Sequence, residues 1–96
     1  MYTTQTTVRP NSKGATIWVQ GLAAHGWHGG TLYSTTITPN AIEYRKCTEG
    51  KVRKVTASKG GIIDNTSQKV LRWAQGATEC NVMVLADTIT ITRVNT

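Results

Sequence analysis

Apolar side chains along this chain fall mostly at alternate positions in short runs punctuated by Gly, Pro and Asn, the pattern of half-buried strands. Thr16-Ile17-Trp18-Val19-Gln20 predicts a strand with Ile17 and Val19 on one face and Trp18 on the other. Thr31–Thr38 predicts a second, in which Tyr33, Thr35 and Ile37 share a face. Pro39-Asn40 turns the chain into a third strand, Ala41–Cys47, carrying Ile42 and Tyr44. Glu49-Gly50 suits a tight turn, after which Lys51–Ala57 reads as a fourth strand completing an antiparallel meander. Val52 and Val55 break the period of two, which predicts a bulge or a strand buried on both sides.

The period changes once. Val70, Trp73, Ala74 and Ala77 recur at helical spacing, so Asp64–Gln75 reads as a helix with Asn65 as N-cap, Gln68 in a capping-box variant and Gly76 at C′. A last strand runs from about Asn81 to Val94, continuously apolar in its first half and alternating Ile89 and Ile91 with threonines in its second, with Asp87-Thr88 as an optional point of division into two strands. The order β-β-β-β-α-β predicts an α+β fold: a small twisted antiparallel sheet of about five strands with one helix packed on one face. Residues 1–15 are polar apart from Val8 and read as a flexible arm or edge strand, given electrostatic reach by Arg9 and Lys13. Residues 16–96 read as a single compact domain, since a chain of 96 residues has no room for a second core.

Composition sharpens the β expectation: threonine is abundant beside Val and Ile, and β-branched side chains fit a pleated surface. With 39% hydrophobic residues and no Phe, the core is expected to be small, and homodimer formation would help to complete it. Residues 1–15 hold no apolar run of signal-peptide length, and no stretch approaches the roughly 18 to 20 apolar residues of a membrane helix. A cytoplasmic location without a membrane partner is therefore expected. Cys47 and Cys80 then read as free thiols.

The charge is concentrated. Six of eleven basic residues (Arg45, Lys46, Lys51, Arg53, Lys54 and Lys59) fall within fifteen positions, with Glu49 as the only acid among them. Lys69 and Arg72 on the helix add to the run. The net charge of the chain is +6. A density of one sign raises self-repulsion without burying anything, which points to a polyanionic partner or, more plainly, to a solvated face that maintains solubility. On the expected layout the run occupies a hairpin, and cations that neutralise phosphates release counterions and bind in a salt-sensitive way. The helix start near Asn65–Ser67, beside Lys59, adds free backbone N–H groups. No RNP-type aromatic strand, GXXG clamp or zinc-finger spacing accompanies the charge.

The segment Ala23–Gly30 is glycine-rich and carries His25, Trp27 and His28. Two histidines three apart fall short of a zinc site without further ligands, so no metal and no cofactor is expected. Folded back, Trp27 would cover the core. Exposed, it would anchor a protein partner, flanked by His25 and His28. The five acids form no pair and the histidines have no evident carboxylate, so no catalytic residues and no enzyme activity are expected. The favoured expectation is a small basic regulatory protein that contacts DNA or RNA phosphates through its cationic hairpin. The alternative is an inhibitor- or corepressor-like module that meets an acidic protein surface through the same hairpin and the exposed Trp.

Overall fold

Alternation governs the chain even more fully than its apolar residues advertise. The computed structural model describes residues 1–50 and 52–94. It contains eight strands: β1 (Tyr2–Asn11), β2 (Gly14–Val19), β3 (Leu32–Ile37), β4 (Ile42–Lys46), β5 (Arg53–Lys54), β6 (Ile63–Ser67), β7 (Glu79–Val84) and β8 (Thr88–Arg93). One seven-residue helix, α1 (Gln68–Ala74), lies between β6 and β7. The strands form one antiparallel sheet in the order β5-β3-β4-β8-β7-β1-β2-β6. Its two ends meet through a single bridge, Thr56–Ile62, so the sheet is a nearly closed barrel. This overturns the expected five-stranded sheet with a helix on one face.

Three local differences explain the change. Tyr2–Asn11, expected as an arm or edge, is a strand at the corner of the barrel: Tyr2–Thr7 pair with β7 and Val8–Asn11 with β2. A strand that changes partners in this way turns the sheet through a corner. Its inner positions are Tyr2, Thr4, Thr6 and Val8, and the threonines hid the alternation. The expected fourth strand shrinks to β5, which pairs with β3 and not with β4 (Tyr33 opposite Arg53, Leu32 opposite Lys54). The basic run therefore does not form a hairpin, because β3 lies between its two halves. Finally, the residues expected to open the helix form β6, and Asn65 pairs with Ile17. The N-cap is Ser67, whose Oγ accepts from the Val70 N–H at 3.2 Å. Gln75, in a left-handed conformation (φ 51°), ends the helix before Gly76.

The interior follows from register. Val19 and Ile17 of β2, Tyr33 of β3, Ile42 and Tyr44 of β4, Val82 and Val84 of β7, and Ile89 and Ile91 of β8 share one core with Val70, Trp73 and Ala74 of α1. The β7–β8 hairpin, with Val82 opposite Ile91, is the division anticipated at Asp87-Thr88. None of the described helices is long and apolar enough to cross a membrane.

A cationic cleft at the barrel seam

The barrel is incomplete at one seam, and the cause is the shortness of β5. It covers only Leu32 and Tyr33 of β3, so the β3 edge beyond Tyr33 has no strand beside it among the described residues. Across the gap, β6 is paired among the described residues only on its β2 side. Inward-parity positions are covered only in part here, from exposed Thr35 and Arg53 to buried Asn65. Thr35 and Ile37 continue the inward face of Tyr33, Arg53 stands opposite Tyr33 in register, and Asn65 and Ser67 continue the inward face of Ile63. Together with Lys69, Arg72 and Trp73 of α1 they line a cleft of about 720 Å³.

Three of the eight expected phosphate contacts thus converge from segments far apart in sequence. Arg53 comes from β5, while Lys69 and Arg72 sit three apart on one side of α1. Among the described residues no Asp or Glu lines the cleft. Charges of one sign in a recess concentrate the field toward an incoming anion.

The other five are dispersed. Lys54 has the opposite strand parity from Arg53 and lies on the outer face of β5. Arg45 is 61% exposed on the side-chain level and pairs with Glu43 at 3.0 Å. Lys46 donates to the Gly26 carbonyl at 2.9 Å and lies 5.0 Å from the Trp27 ring centroid, so it holds a loop. Lys59 stacks over Trp18 at 4.6 Å, beside a separate groove that also receives Arg9. Lys51 lies outside the described residues.

Polar groups at the floor add to the picture. Asn65 is only 8% exposed, and its Nδ2, the Trp73 indole Nε1 and the Tyr44 hydroxyl are buried without a well-aligned partner, although the Asn65 side chain lies close enough to Tyr44 to act on its phenol as a hydrogen-bonding group. Groups of this kind each cost about 1–3 kcal/mol when left unsatisfied, so a cluster of them calls for an explanation. Burial pushes the Tyr44 phenol well above its usual range, more strongly than the Asn65 amide and Arg53 pull it down. Tyr33 is raised by burial too, against the pull of Arg53. Both phenols therefore keep their protons at neutral pH. Among the described residues the cleft is lined by cations, an amide side chain, an indole ring and hydroxyls, but no carboxylate.

Arg93 was not singled out from the sequence. Its Nη1 donates to the Trp73 carbonyl at 2.8 Å and its Nη2 to the Pro39 carbonyl at 2.9 Å, with the guanidinium carbon 4.8 Å from the Trp73 ring centroid. It ties the β3–β4 turn to the end of α1, fixing two walls of the cleft. The signal was present in the register: positions 89, 91 and 93 share a face, and an arginine following two isoleucines belongs at the mouth of a core.

The glycine-histidine loop is not a partner surface built on Trp27. Trp27 is fully buried, and its Nε1 donates to the Leu85 carbonyl at 2.9 Å. The His25 ring stacks on Tyr2 at 3.7 Å, whereas His28 is exposed. Among the described residues no three His, Cys, Asp or Glu side chains gather as metal ligands. Cys47 and Cys80 are free, and burial raises the Cys80 thiol against the pull of Arg93. Comparison of the chain with protein-family models, with curated proteins and with solved structures gave no match.

Proposed function

We propose that this is a small basic nucleic-acid-binding protein whose contact surface is the seam cleft, with Arg53, Lys69 and Arg72 as the phosphate-binding residues. The convergence of these three cations from β5 and α1 on one recess without a carboxylate supports this reading. Most protein contacts to nucleic acid are made to phosphates, and these supply affinity and its salt dependence. The surface differs from the hairpin that the linear sequence suggested, since Arg45 and Lys46 are engaged in contacts away from the cleft. The alternative of a protein-binding module loses its Trp27 anchor to burial, although an acidic partner would still meet the cationic surface. A cytoplasmic location accompanies the proposal.

The test is fluorescence anisotropy of labelled DNA and RNA at low ionic strength, repeated at rising salt. Binding that weakens with salt and is lost when Arg53 and Arg72 are reversed to Glu supports the proposal. Equal probe anisotropy with and without folded protein at low salt refutes it.

A further inference from the structure

The dimensions and donor set of the cleft say more about the form of nucleic acid than its charge does. We infer that the cleft takes one nucleotide of a single strand, its phosphate among Arg53, Lys69 and Arg72, and that it discriminates against duplex; this rests on the nucleic-acid reading above. Its volume of about 720 Å³ lies in the range of sites for small organic molecules, about 300–1,000 Å³. A duplex presents its phosphates on the outside of a wide convex rod, which can reach the rim of a recess but not its floor. A single strand can turn one nucleotide inward while the groove tracks its backbone.

The floor favours such entry. Asn65 and Trp73 line it, an amide side chain and an indole ring whose Nδ2 and Nε1 lie just beneath its surface. Phosphoryl and base carbonyl oxygens are acceptors, which suits the donors that Arg53, Lys69 and Arg72 bring to the cleft. Ile37, Pro39 and Trp73 add an apolar strip along the walls for the sugar or base.

The experiment compares a short labelled oligothymidylate with the duplex formed on its complement, at one low salt concentration. In parallel, unlabelled thymidine 5′-monophosphate and thymidine are titrated into the isotopically labelled protein. Single strand is expected to bind at least about tenfold more tightly than duplex. The monophosphate, but not the nucleoside, should displace it and shift the Trp73 indole and Asn65 side-chain amide resonances. Asn65→Ala should weaken the single strand by about tenfold and leave the weak duplex binding in place; the wild-type titration keeps the test decisive if that variant fails to fold. Equal binding of duplex and single strand with the same dependence on Arg53 and Arg72, or unmoved Trp73 and Asn65 resonances, overturns the inference and leaves the proposed function standing. Absence of any nucleic-acid binding overturns both.

Discussion

Neutralising the basic residues one at a time separates the seam from a general cationic surface. In Arg53→Gln, Lys69→Gln and Arg72→Gln each side chain keeps much of its length and loses its charge. If the three cations, gathered around the inserted nucleotide, each neutralise one phosphate of it and its neighbours along the strand, log K should fall with log salt at a slope of about −2 for a single strand and about −3 for a duplex. For the single strand this is a loss of about twentyfold between about 50 and about 200 mM salt. Each substitution should flatten the slope by about 1 and weaken binding at low salt. Arg45→Gln is the matched control. It lies in the same basic run but is paired with Glu43 and does not line the cleft, so its slope should stay within error of the wild type. Anisotropy titrations over a salt series, with circular dichroism to confirm folding, measure all four. Should Arg45→Gln flatten the slope as much as Arg53→Gln, the charge would act as a diffuse surface and the cleft assignment would fail.

Other outcomes test the architecture. Arg93→Ala removes two hydrogen bonds to carbonyls and a guanidinium–indole contact, and should cost about 2–4 kcal/mol by denaturant titration and weaken nucleic-acid binding although Arg93 is not among the proposed phosphate contacts. Gly14→Ala should lower stability sharply, because φ is 122° and a Cβ would clash with the Ser67 carbonyl at the helix cap; the backbone strain alone is about 1–3 kcal/mol. Tyr44→Phe deletes a buried hydroxyl that is poorly aligned with its Asn65 neighbour and should leave stability unchanged or raise it by about 1 kcal/mol, whereas a marked loss would show that the Asn65 contact is a strong hydrogen bond. The folded phenols of Tyr33 and Tyr44 are raised above the model-compound value of 10.0, so their protons are held more tightly in the folded state. Their contribution should be constant below pH 10 and should fall as pH rises beyond it, and Tyr44→Phe should make that alkaline decline shallower.

Much of the fold was legible at the level of single strands and little at the level of their neighbours. Ile17 and Val19, Ile42 and Tyr44, and Ile89 and Ile91 announced their inward faces because each is apolar. β1 was missed because Thr4 and Thr6 occupy the inner register, and a threonine carries no hydropathy signal of its side. β6 resembles a helix start in sequence because Asn65 and Ser67 are capping residue types, and only Ser67 serves as one. Long-range pairing was the larger gap. A tight turn at Glu49-Gly50 makes β4 and β5 neighbours the economical inference, yet the partner of β5 is β3. Local turn chemistry fixes a reversal of direction, not the strand beside which the chain comes to rest.

The same distinction decides the candidate site. Charge density along the chain is a one-dimensional property, and in the basic run it marked Arg53 and Arg45 alike. Strand parity and pairing separate them: Arg53 sits opposite Tyr33 on the inward face, where β5 ends and the barrel opens, while Arg45 lies on the outer face beside an acid. An inward arginine would be untenable in a closed barrel, since a buried unpaired charge costs several kcal/mol. It is tolerated here because the seam admits water or a ligand. The same register carries Asn65 and Ser67 on the facing edge. Polar residues at inward positions of three strands are thus one feature: the barrel is polar inside where it does not close. A sequence-level sign of such a site is the interruption of an inward apolar series by Arg, Asn or Ser, as in Ile63-Asn65-Ser67 and Ile89-Ile91-Arg93. Substituting the interrupting residues with apolar ones should favour closure and dryness at the expense of binding, and Asn65→Leu, expected to be at least as stable as wild type but weaker toward single strands, puts that trade to measurement by thermal unfolding and anisotropy.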